Sequence, residues 1–106
     1  MNRWNIPEWL ELYVLERDKA CIYCRANFEP LSTRVRPTWE HIINDLQMIT
    51  RENIARCCMS CNASKGDRPV AVWLDSAYCK SRSSTREQVA EVVRAQLRHC
   101  DTEAVP

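Results

Sequence analysis

The sequence predicts a small α+β domain: a β-hairpin gripped by a four-cysteine metal site, with helices before and after it. Three observations predict this. Two Cys-x-x-Cys pairs, Cys21/Cys24 and Cys58/Cys61, stand thirty-three residues apart and suit paired zinc knuckles. Between them, Arg34 to Ile43 has the alternation and β-branched content of a strand, and Ile54 to Cys57 makes a short return strand. Outside the strands, apolar residues recur at helical spacing over about 7–17, 69–78 and 85–100. The 106 residues are expected to form one domain, 1–106, small enough for a structural metal to matter to its stability.

Taken in order, Pro7 and Glu8 suit the first turn of a helix, and Trp9, Leu10, Leu12, Tyr13 and Leu15 give a wide apolar stripe expected in the core. Cys21-Ile22-Tyr23-Cys24 is a tight knuckle, followed by an irregular polar stretch broken by Pro30. Pro37 marks the first strand as an edge or a bulge, and 44–53 is the loop. A helix from Ser60 carries Asn62 and Lys65 in its first turns and ends near Gly66, the only glycine. Asp67-Arg68-Pro69 restarts a helix over Val70, Val72, Trp73 and Leu74 that fades towards Cys79. Lys80 to Ser84 is a polar linker. Ser84-x-x-Glu87, or Thr85-x-x-Gln88, reads as a capping box opening a last helix with Val89, Val92, Val93 and Leu97 on one face.

Seven cysteines are an odd number, and no apolar signal segment stands at Met1 to Pro7. Thiols that serve as metal ligands in a reducing compartment explain them better than a secreted disulfide scaffold. Cys57 leaves an ambiguity, because Cys57-x-x-x-Cys61 is also feasible. Cys58 is preferred since its spacing matches the first knuckle, and Cys57, Cys79 and Cys100 are then expected as small buried apolar groups. No apolar run approaches the ~20 residues that span a bilayer, so no membrane partner is expected. The net charge of +1 hides a segregation: residues 17–86 hold twelve Lys or Arg against seven Asp or Glu, while 1–16 and 87–106 are each −2. The basic excess surrounds the motifs, as a phosphate-facing surface requires.

Glu40 and His41 are adjacent. In a strand they point to opposite faces, so both serve one site only if the strand is twisted or bulged there, or ends there. A neutral imidazole can take a proton from water, and a carboxylate with an amide oxygen suits a hard cation such as Mg²⁺ or Mn²⁺. Taken alone, the dipeptide reads as an ordinary surface pair. His99, at the end of the last helix, is explained by the helix dipole.

Trp39-Glu40-His41-Ile42-Ile43, Glu52-Asn53-Ile54 and Cys58-Met59-Ser60-Cys61-Asn62-Ala63-Ser64-Lys65, preceded by Cys21-Ile22-Tyr23-Cys24, together resemble an HNH endonuclease of the zinc-bearing kind. The resemblance covers about residues 17–68 and implies a ββα-metal core there, in which a hairpin and a helix present one divalent cation to the scissile phosphate. It implies that His41 is the general base and that Glu40 and Asn62 hold a catalytic Mg²⁺ or Mn²⁺. Asn53 would brace the loop and help hold His41, and Cys21, Cys24, Cys58 and Cys61 would hold a structural Zn²⁺ remote from the chemistry. The family more often carries aspartate at the position of Glu40 and histidine at that of Asn62; both residues here still offer an oxygen.

The expected activity is hydrolysis of DNA phosphodiester bonds, mainly nicking of duplex DNA with low sequence preference, by a monomer or weak dimer. The expected location is the cytoplasm, for a bacterial or phage-encoded protein. Lys65, Arg36, Arg56 and Arg68 are candidates to hold flanking phosphates, and each is equally well read as solvated surface charge. Two alternatives stay open: a non-catalytic zinc module that binds DNA or protein, and an HNH nuclease acting on RNA.

Overall fold

The hairpin sits near the middle of the chain, with one apolar cluster on each of its two faces. The computed structural model describes residues 4–30 and 35–103, the last three by backbone alone. Arg34, where the first strand was expected to begin, lies outside the described residues. The described elements run α1 (Glu8–Arg17), β1 (Pro37–His41), β2 (Ile54–Cys58), α2 (Met59–Lys65), α3 (Val70–Trp73), α4 (Ala77–Ser81) and α5 (Glu91–Glu103). The fold is therefore a small α+β unit with one two-stranded sheet and five helices among the described residues.

β1 and β2 pair antiparallel, with Thr38 opposite Cys57, Glu40 opposite Ala55 and His41 opposite Ile54. Successive side chains alternate across a strand. Thr38, Glu40, Ala55 and Cys57 thus share one face, while Trp39, His41, Ile54 and Arg56 share the other. The first face meets the larger core, with Tyr23, Trp73, Val89, Val93 and Leu97, and the second meets α1 through Ile6, Leu10, Val14 and Ile54. α2 follows β2 without a loop and packs back on both strands. Its first turn is capped by Cys58, whose sulfur accepts from the Cys61 N–H. It ends at Gly66, where φ is +54°, a conformation that costs little without a Cβ.

Four expectations need correction. Trp9 (61% exposed) and Leu12 (60%), with Tyr13 and Leu15, lie outward on α1, and the buried stripe is Ile6, Leu10 and Val14. A two-stranded sheet offers one helix a narrow contact, which this i, i+4, i+8 row fills. β1 is shorter than Arg34 to Ile43. The expected single helix over 69–78 is two, because Ser76 is extended and its hydroxyl accepts from the Cys79 N–H to start α4 afresh. The last helix begins at Glu91 rather than Thr85. Thr85 to Gln88 is a turn, and the Ala90 N–H donates to the Ile22 carbonyl at 2.8 Å. That tertiary bond takes the donor a continuous helix would have used. Ser84 is buried with its hydroxyl unpartnered and caps nothing.

Candidate active site and metal centre

Two sites sit at opposite ends of the hairpin. At one end, the knuckle Cys21–Cys24 closes through the Arg25 N–H donating to the Cys21 carbonyl at 3.0 Å, with Arg25 in the left-handed region at φ 66°. It meets the start of α2, so that the Cys21, Cys24, Cys58 and Cys61 sulfurs all lie within 4.8 Å of one another. All seven cysteines are free. A tetrahedral zinc with bonds of about 2.3 Å places its sulfurs about 3.8 Å apart. Cys24 Sγ and Cys58 Sγ are 3.8 Å apart, so the cluster fits zinc. Hydrogen bonding among the sulfurs pushes the Cys24 thiol down and those of Cys21 and Cys61 up. Four thiols this close cannot all shed protons without a positive charge among them.

The choice between Cys57 and Cys58 is settled by the pleat. Cys57 turns to the other face, where its sulfur lies 3.7 Å from the Thr38 hydroxyl and burial pushes its thiol up. Cys57 and Cys79 are buried, as expected; Cys100 is half-buried. One feature of the cluster has no signal in the sequence. The Tyr78 hydroxyl donates to Cys61 Sγ at 3.3 Å, with Arg82 stacked 4.5 Å over the Tyr78 ring.

At the other end, Glu40 and His41 are the last two residues of β1, 5% and 7% exposed. Glu40 Oε2 accepts from the Tyr23 hydroxyl at 2.6 Å and lies 3.3 Å from Lys65 Nζ. Burial pushes the Glu40 carboxyl up, while Lys65 and Tyr23 pull it back. Lys65, only 1% exposed, also donates to Asn44 Oδ1 at 3.0 Å and to the His41 carbonyl at 3.4 Å. It was a candidate for flanking phosphates; instead its ammonium is spent inside the protein.

The His41 ring lies on the opposite face from Glu40, edge-on to Trp4 with centroids 5.4 Å apart. Its Nε2 is buried with no hydrogen-bond partner. Burial, and then the Lys65 charge, lower its pKa below the ordinary 6.5, against a smaller upward pull from Asp45. Asn53 is wholly buried and ties the loop shut. Its Oδ1 accepts from the Ile43 N–H at 2.7 Å and from Gln96 Nε2 at 3.2 Å, and its Nδ2 donates to the Ile43 and Met48 carbonyls, each at 3.1 Å. It therefore fixes the chain two residues beyond His41 rather than the imidazole itself.

Asn62 stands one turn before Lys65 on α2. Its Nδ2 donates to Thr38 Oγ1 at 2.9 Å and to the Trp39 carbonyl at 3.2 Å. No hydrogen bond joins it to Glu40, though both flank the seam between β1 and α2. In kind, the two fit a hard cation: Glu40 holds two partners on one oxygen only, and the Asn62 amide spends its nitrogen on β1, leaving Oδ1 as the acceptor. Of the remaining candidates, Arg36 and Arg68 are exposed, and the Arg68 guanidinium bonds the Ser64 carbonyl. Arg56 is half-buried and packs over the Phe28 and Trp39 rings at 5.4 and 5.6 Å, with its Nε buried and unpartnered. Beside Asn44 a cleft of about 330 Å³ opens, lined by Ile43, Pro69 and Val70 among others.

Sequence reasoning missed Trp4, Tyr23 and Asn44. Only Tyr23 carried a hint, a tyrosine inside a metal knuckle. The chain matches no protein-family model, no curated protein and no solved structure. Its chemistry has to be read from the site alone.

Proposed function

We infer that this chain is a metal-dependent DNA endonuclease of the HNH kind. One observation carries the reading: His41 ends β1 as a buried imidazole whose Nε2 has no partner. Buried polar atoms are almost always bonded, and an exception calls for a chemical reason. Support also comes from the succession strand, strand, helix in β1, β2 and α2, and from Glu40 and Asn62 on either side of the β1–α2 seam. The basic excess of residues 17–86 suits a phosphate backbone.

In this reading, His41 stays neutral near pH 7 and takes a proton from water at Nε2 as the water oxygen attacks phosphorus, while the phosphorus–oxygen bond to the leaving strand breaks in line. When bound by Glu40 and Asn62, Mg²⁺ or Mn²⁺ supplies stabilisation of the charge developing on the phosphoryl and leaving oxygens. Tyr23 and Lys65 hold the Glu40 carboxylate still, and Asn53 holds the loop that follows His41. Exposed Arg36 and Arg68 serve flanking phosphates, which position DNA without reading its sequence.

One site attacks one phosphodiester at a time, so a monomer or weak dimer nicks. With Mg²⁺ or Mn²⁺, supercoiled plasmid should become open circle before linear product appears, and EDTA should stop the reaction. An equal rate from His41→Ala would overturn the assignment. One observation favours a second reading. The Glu40–Lys65 pair and the Asn62 bonds are also what a purely structural seam would make, and they suit a zinc module that binds DNA or protein without cutting it. A DNA mobility shift without any cleavage would select that reading. Cleavage of RNA in place of DNA would select the RNA-directed variant.

A further inference from the structure

Lysine is among the side chains least often buried, yet Lys65 is 1% exposed and nothing in phosphate binding explains it. Its ammonium meets three oxygens from the end of β1 and the loop that follows it: Glu40 Oε2 at 3.3 Å, Asn44 Oδ1 at 3.0 Å and the His41 carbonyl at 3.4 Å. A carboxylate, an amide oxygen and a backbone carbonyl are the donors that a hard metal ion takes. The same helix places Asn62 three residues earlier, so the amide and the ammonium share the face of α2 that meets β1. Glu40 is the one acid in this seam, Asn44, Asn53 and Asn62 are uncharged, and Lys65 cancels Glu40. The pair is internal and tightly bonded, so solvent does not weaken that cancellation as it does at a surface.

We propose that Lys65 is a resident cation that keeps the Glu40–Asn62 seam electrically neutral, so that a divalent ion binds there only together with a substrate phosphate. The inference rests on the endonuclease reading and adds an order to it. The free protein holds no catalytic metal tightly, because the ion would meet a like charge across one carboxylate. A DNA phosphate brings back the negative charge that Lys65 has cancelled, and metal and substrate then bind as mutual effectors. Lys65 is in this sense a positioning residue: it touches Glu40 and never the reacting atoms.

The test uses the zinc-loaded full chain with His41→Ala, so that DNA stays intact, and follows Mn²⁺ binding by electron paramagnetic resonance. A short DNA duplex should tighten Mn²⁺ binding by about 10-fold or more, within the usual range of coupling between sites. Adding Lys65→Met should tighten Mn²⁺ binding in the absence of DNA and shrink the effect of the duplex, whereas Lys65→Arg should preserve both. Equal Mn²⁺ affinity with and without DNA overturns the proposal. So does a Lys65→Met protein with normal zinc content and circular dichroism that binds Mn²⁺ no tighter. Should Lys65→Met fail to fold, the comparison with and without duplex decides alone. Plasmid nicking by the unsubstituted protein without linkage between Mn²⁺ and DNA would sink the role of Lys65 and leave the nuclease standing. Neither nicking nor Mn²⁺ binding would sink both.

Discussion

The two ends of one hairpin use opposite chemistry. At the Cys58 end, four soft sulfurs converge in a closed shell that leaves no position for a substrate. At the His41 end, a tyrosine and a lysine meet a single carboxylate on one face, and on the other face a buried imidazole nitrogen has no partner at all. Four residue steps of about 3.4 Å separate the ends, roughly 14 Å in all. α2 spans the gap, carrying Cys61 in its first turn and Lys65 in its last. In the proposed reading the difference is a division of labour: a satisfied site holds the fold, and an unsatisfied one carries the chemistry.

The largest effect should come from breaking the sulfur end. Structural zinc in small domains contributes ~10–16 kcal/mol of binding free energy, against a total stability of about 5–15 kcal/mol for a whole domain. Chelation, or Cys24→Ser or Cys61→Ser, should therefore unfold the hairpin, seen as loss of near-ultraviolet dichroism. Unchanged melting after zinc removal, or elemental analysis finding much less than one zinc per chain, would dissolve the comparison.

At the other end, His41→Ala should cut cleavage by about 10²–10⁴-fold while zinc content and melting stay put, and His99→Ala should change nothing. A drop in melting as large as the one from Cys24→Ser would show that His41 belongs to the scaffold.

Tyr23→Phe tests the join between the ends. Its hydroxyl is a hydrogen bond to a charged group, worth about 1.5–3 kcal/mol. The variant should melt lower and cleave more slowly, yet keep its zinc. Loss of zinc from this variant would mean that the tyrosine supports the knuckle more than the carboxylate.

The cluster was legible in the sequence because each half is a local turn: two residues of spacing decide two ligands. The partners of Glu40 were not, since Tyr23 lies 17 residues before it and Lys65 comes from another element, and neither spacing nor periodicity links them. Burial was the other blind spot. Lys65 and Arg56 read as surface charge, and only packing shows one of them paired within the seam and the other laid over two rings. On α1 the apolar residues were visible, but which of them face inward depends on how narrow a sheet they meet. The start of α5 was hidden in the same way, since the Ala90–Ile22 bond that delays it is tertiary.

A smaller effect is expected from pH. The pKa of His41 is lowered from 6.5 in the folded chain, so below about pH 6.5 the unfolded chain takes up the proton first, and this contribution to stability is lost as pH falls. The rate should hold through pH 6.5 and fall only at more acid values, where the folded imidazole gains its proton. A cleavage profile that breaks above pH 6.5 would argue for an exposed base. Smallest of all, Arg68→Ala should weaken DNA binding uniformly across sequences and lower the salt slope by about 1, while Arg56→Ala should lower melting instead.

Tyr23 is at once the third residue of the Cys21–Cys24 knuckle and a donor to Glu40, which in the proposed enzyme would give the structural metal a say in reactivity without a part in it. A chain newly released from the ribosome, or one stripped of zinc by oxidation of its thiols, would have no ordered knuckle and so no tyrosine to aim the carboxylate. In the proposed nuclease that link would act as a safety catch, because a copy without its structural metal would lack an aimed carboxylate.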